Sequence, residues 1–172
     1  MAPTGSIPEL ISKLVLEPPV YFITVLLTTI GLPIASIVIE LLARPEANVI
    51  ASAGKWFVFW GVGVRLFLAG ISQVVRPSFT ASNIFRIKDT ATEKIVSELG
   101  YANASMGLGG MLSLLSHAWV VPAGFAGGLF LGLAGIKHAM NAERSAKENV
   151  AMITDLIVTC VVAVYLGSLA VR

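Results

Sequence analysis

Charge is scarce in this sequence. Only 13% of its 172 residues are Asp, Glu, Lys or Arg, against about 25% in an ordinary soluble domain. So little charge excludes a disordered chain, and a net charge of +2, from 12 basic and 10 acidic residues, excludes a nucleic-acid binder. Cysteine is limited to Cys160, which rules out an internal disulfide, a thiolate zinc site and an Fe–S cluster. Histidine is limited to His117 and His138. What is abundant is apolar surface: 56% of residues are hydrophobic and the mean hydropathy is +0.84. The composition is that of an integral membrane protein, with the lipid bilayer as its first partner.

A hydrocarbon core about 30 Å thick takes roughly 20 apolar helical residues to cross. Five segments approach that length: 20–42, 55–75, 98–116, 119–138 and 149–171. None alternates in polarity as a membrane β-strand does. The expected fold is therefore all-α, a polytopic bundle of five transmembrane helices in one domain. The third and fourth segments meet at Ser116-His117-Ala118, which predicts a tight hairpin, with a re-entrant loop of two half-spans as the alternative. Residues 77–89 read as the one long loop, with a lipid-surface pattern at Ile84-Phe85-Arg86-Ile87-Lys88.

Three Ser/Thr-x-x-Glu patterns predict capping boxes, starting at Ser6, Thr90 and Ser145. The first would open a short interfacial helix with Ile7, Leu10, Ile11 and Leu14 on one face. The apolar run that follows residue 19 is too long for the core of a secretory signal. Lys13, Arg76, Arg86, Lys88, Lys94, Lys137, Arg144 and Lys147 would share one side of the membrane, and Arg44, Lys55 and Arg172 the other. That bias predicts an inner-membrane protein with its amino terminus in the cytoplasm and its carboxyl terminus outside.

Ionisable residues at membrane depth are costly and therefore informative. Arg65 lies near the middle of the second span and keeps its proton. Asp155 lies about 8 Å inside the fifth span at 1.5 Å per residue, within reach of Arg65, and Glu98 and Glu40 are the other acids to consider. Depth reckoning gathers Arg65, Glu98, Asn103, His138, Asn141 and Asp155 into one polar cluster on the cytoplasmic side. Such a cluster suits a proton relay, an anion pocket or a hydrogen-bonded lock. Helical spacing also aligns Gly124, Gly128, Gly132 and Gly135 on one face of the fourth span, as close packing in lipid requires. It places Glu98, Ala102, Ser105, Gly109, Ser113 and Ser116 on one stripe of the third, which either packs against the fourth span or borders a polar path. His117 and His138 fall at opposite ends of the hairpin, too far apart for a shared haem. No spacing motif supports a metal site, no catalytic residue is assigned, and no cofactor is identified.

At Glu98-Leu99-Gly100-Tyr101-Ala102-Asn103, and again at Gly135-Ile136-Lys137-His138 with Asn141, the chain resembles a group of small bacterial multi-pass membrane proteins. That group is characterised only as a domain of unknown function. The resemblance covers roughly residues 55–170. It implies a compact bundle and marks Glu98, Asn103, His138 and Asn141, with no substrate or activity attached. The expected function is a channel or transporter for a small solute, ion or proton, working as a homo-oligomer. The alternatives are an accessory or scaffold subunit of a larger membrane complex, and a quinone- or lipid-handling membrane enzyme.

Overall fold

The computed structural model describes residues 18–83, 87 and 89–171, and the described chain is helical with no strand. The elements are α1 (Pro18–Leu26), a π-helical stretch (Leu27–Gly31), α2 (Leu32–Ala43), α3 (Val49–Trp56) and a second π-helical stretch (Phe57–Val64). They continue with α4 (Arg65–Val75), α5 (Pro77–Asn83), α6 (Thr90–Leu112), a 3₁₀ turn (His117–Trp119), α7 (Val120–Met140) and α8 (Ala146–Ala170). Four of the resulting rods are long and apolar enough to cross a membrane: Val20–Ala43, Val49–Val75, His117–Met140 and Ala146–Ala170. The segment expected as the third span falls largely in α6, whose acids, lysine and small polar residues leave it less apolar than those four, so four spans rather than five stand out.

Neighbour contacts set the directions. Ser36 meets Trp60 and Glu40 meets Trp56, so the first two rods are antiparallel. Gly63 faces Gly110 and Gly70 faces Ala104, so α6 runs antiparallel beside the second rod. Gly124 faces Val162 and Gly135 faces Leu156, which makes α7 and α8 antiparallel. One end of the bundle therefore carries Tyr21, Arg76, Lys94, Lys137, Arg144 and Lys147, and the opposite end carries Arg44 and Lys55. Val58, Val62, Leu66, Val120, Leu131, Val158 and Val162 form the core between the second rod, α7 and α8.

Several expectations change. The closest packing is not inside the α6–α7 hairpin. It lies between α6 and the second rod, and between α7 and α8. The reason is backbone proximity: Gly63, Gly70, Gly107 and Gly110 bring the second rod and α6 together with no side chain between them. On the expected stripe Glu98, Ala102, Ser105 and Ser116 are exposed, Gly109 is half-buried beside Ala123 and Ser113 is buried, while the buried side of α6 itself is Gly100, Asn103, Gly107 and Gly110. The helix start expected at Thr90 begins one residue earlier, with Asp89 as the cap accepting from Thr92 N–H at 2.7 Å. The Thr92 hydroxyl on the same carboxylate holds it below the usual range. The Ser145–Glu148 capping box forms as expected. Residues 77–83 are a helix rather than loop, opened by Pro77 at its first position, where the missing N–H costs nothing. The Ser6 box, the interfacial helix and most of the 84–88 segment lie outside the described residues.

On the α7–α8 seam, a Cβ on Gly128 would stand 3.0 Å from Val162 Cγ1, which must give by a few tenths of an ångström. Gly128→Ala is expected to be mild, while Gly128→Leu should lower the melting temperature clearly or break the fold. Thermal unfolding in mild detergent checks this, and equal tolerance of both changes would mean that the seam is not close-packed.

Candidate functional site

Two rods are distorted at matching heights. In the first, Leu32 N–H donates to Leu27 O, five residues back. Pro33 has no N–H and its ring crowds the carbonyl four residues before it, so the preceding turn widens. In the second, Arg65 N–H reaches Trp60 O, again five residues back, in a stretch weakened by Gly61 and Gly63. Single π turns inside α-helices occur frequently at functional sites. Here the two stretches touch, and Arg65 follows the second directly.

Arg65 Nη2 donates to Asp155 Oδ1 at 2.5 Å and to Thr154 Oγ1 at 3.1 Å. Both charged side chains are nearly enclosed, 11% and 6% exposed, so the ion pair sits out of water near the middle of its rods. Thr154 passes its own proton to the Val150 carbonyl at 2.7 Å, so its oxygen faces the guanidinium as an acceptor. Arg65 Nη1 is buried with no hydrogen-bond partner among the described residues. An unpaired donor on a buried cation is unfavourable, and an incoming acceptor would relieve it.

Arg65 also walls a cavity of about 140 Å³. The cavity runs from Arg65 and Thr28, at the distorted turns, past Ser72 and Gln73 to Tyr21 and to Thr80 on α5, at the basic end. Its wall is mostly apolar, with Val25, Leu68, Ala69 and Phe79, and adds hydroxyls, one amide and a guanidinium, with no carboxylate among the described residues.

The six residues expected to form one cluster divide into separate groups. Arg65 and Asp155 meet as above. Asn103 is buried on α6 and donates to Gln73 Oε1 at 2.8 Å, which ties α6 to α4. His138 lies 3.9 Å from Glu148, whose carboxylate also accepts from Asn141 at 3.2 Å and from Ser145 N–H at 2.7 Å. That group closes the turn between α7 and α8. Glu98 is exposed on α6 and joins none of them. Glu40 is at the opposite end, paired with Lys55 and accepting from Trp56 Nε1 at 2.6 Å. The glycines at 124, 128, 132 and 135 form the α7–α8 seam, with Gly124 also touching Val58.

Thr154, Thr28, Ser72, Gln73 and Tyr21 are site residues that the sequence reading passed over. Thr24 and Thr28, four apart on one face, and the adjacent Ser72-Gln73 in an apolar span were the available signals. Among the described residues no cluster of three His, Cys, Asp or Glu side chains could hold a metal ion.

No curated protein and no solved structure matches the chain. The model of DUF6790, a family of unknown function, matches it over residues 21–171, from the first helix through the last, and the chain belongs to that family.

Proposed function

We propose that this is a five-span inner-membrane protein that passes a small polar solute through the Arg65 cavity. The single observation behind this reading is a largely apolar cavity, one wall of which is a buried guanidinium, set between two π-distorted helices. Solute sites in membrane carriers commonly lie near the bilayer midplane at interrupted helices. Toward the less basic end the lining stops at Thr28 and Arg65, at the distorted turns, so passage would require those turns to rearrange. A quinone is too large for the space, since pockets for ligands of that size run to about 300–1,000 Å³.

The fifth span of this proposal is α6, whose 23 residues make a rod of roughly 34 Å alongside the second. Cytoplasmic placement of the basic end follows the lysine and arginine bias. A reporter fused after Val171 should then be active only outside the cytoplasm, and one fused after α5 only inside. Both on one side would remove the topology.

The function is tested by osmotic shrinkage and re-swelling of proteoliposomes in glycerol, formamide or sodium formate. At least one of these solutes should enter faster than into protein-free vesicles, and Ala69→Phe, which fills the cavity, should abolish the difference. Entry at the protein-free rate for all three would overturn the reading. It would favour an accessory subunit in which the paired charges only order the bundle. A homo-oligomer remains part of the proposal, with detergent-phase mass as its measurement.

A further inference from the structure

The charges around the cavity select among solutes, and this step rests on the solute-site reading above. Its inner wall holds Arg65, and the acid that balances Arg65, Asp155, approaches from α8 and is not part of the cavity wall. At the basic end, Tyr21 and Phe79 both line the cavity, and the Lys147 ammonium lies 5.8 Å and 4.8 Å from their ring centroids. The Tyr21 hydroxyl is drawn to the same residue, donating to the Lys147 carbonyl at 3.5 Å. A solute entering from that end meets an ammonium at the mouth and a guanidinium inside, with hydroxyls, an amide and apolar groups between them among the described residues.

Size narrows the class further. A cavity of about 140 Å³ corresponds to about four or five water molecules at roughly 30 Å³ each. That suits a solute of three to five heavy atoms. With Nη2 committed to Asp155 and Thr154, Nη1 is left to donate, and a charged oxygen is the acceptor a guanidinium N–H favours. We propose that the cavity binds a small monovalent oxyanion, a carboxylate or a shape-equivalent inorganic ion, drawn in past Lys147 and held at Arg65. A cation is disfavoured at both stations, and a neutral solute gains nothing from either charge.

Formate and formamide have nearly the same shape and differ in charge, so they make the discriminating pair. The experiment is titration calorimetry at low ionic strength on the whole protein in mild detergent, with sodium formate, sodium nitrate, formamide and methylammonium chloride as probes. Formate and nitrate are expected to bind at least about tenfold more tightly than formamide, the increment of a charge-assisted hydrogen bond, with methylammonium weakest. Lys147→Gln, a surface change at the mouth, should weaken formate about tenfold through lost steering and leave formamide unaltered. Ala69→Phe should abolish binding of every probe.

Formamide or methylammonium binding as tightly as formate, and lost in Ala69→Phe, would overturn the anion class while leaving the solute site standing. Formate binding that survives Ala69→Phe would place the anion elsewhere and overturn the assignment. No binding of any probe to the unmodified protein would overturn the assignment and the solute reading together.

Discussion

Gly107→Ala is expected to be among the most damaging single-methyl additions in this protein. A Cβ at that position would lie 2.3 Å from Phe67 N and 2.8 Å from Gly63 O, both backbone atoms. A flexible side chain could turn aside, but here two helices would have to separate along their tightest line. Overpacking a well-filled core costs typically about 1–3 kcal/mol, and contact with backbone puts Gly107→Ala at or above the upper end. Gly109, two residues on, provides the control, since its nearest neighbour is a side-chain carbon 3.9 Å away. Gly109→Ala should be neutral or stabilising by about 0.5–1 kcal/mol, because alanine is the better helix former. Thermal unfolding in mild detergent compares them. If the two variants melt together, α6 does not press on the second rod, and its reading as a fifth span loses its packing basis.

The second large effect belongs to the buried ion pair. Removing one partner of such a pair strands a charge and costs about 3–5 kcal/mol, whereas replacing both with apolar groups can be nearly neutral. Arg65→Leu and Asp155→Leu should each destabilise strongly, and the double variant should recover much of the loss. Their coupling should exceed the few tenths of a kcal/mol seen for sites that do not interact. Thr154→Val should cost less, since it removes one hydrogen bond, worth about 1.5–3 kcal/mol when a charge is involved, and leaves the pair intact. Strictly additive single losses would mean that Arg65 and Asp155 do not interact in the folded protein. A stable double variant also separates function from folding. If it loses solute entry into proteoliposomes, Arg65 serves the solute; if it retains entry, the pair is structural.

How legible the site was depended on whether its geometry is local. The depth of Arg65 and of Asp155 could be counted along their helices at 1.5 Å per residue, and counting put Asp155 within reach of the long Arg65 side chain, where the structure joins them. The same counting put Glu98, Asn103, His138 and Asn141 into that cluster, and of these only His138 lies close enough to Asp155 to act on its charge. Depth says how far along a helix a residue lies, but not which way it faces across the bundle. Glu98 turns outward, Asn103 turns to Gln73, and His138 and Asn141 are engaged by Glu148, an acid supplied by the next helix.

By itself the sequence determined the solvent and the kind of element. Runs of about twenty apolar residues cannot leave backbone amides unpaired in lipid, so they must be helices, and that conclusion needed no neighbour. It also determined two helix starts, at Thr90 and Ala146, to within a residue, because a cap acts on its own turn. It did not determine the start of the second rod at Val49 or the helix at Pro77–Asn83. Only the tertiary structure decided which glycine face met which helix, how two π turns came to face each other, and that Arg65 borders a cavity. Those features depend on rotations and separations between helices. In lipid such relations are set by close packing and a few buried polar bonds rather than by the gross hydrophobicity that a sequence displays.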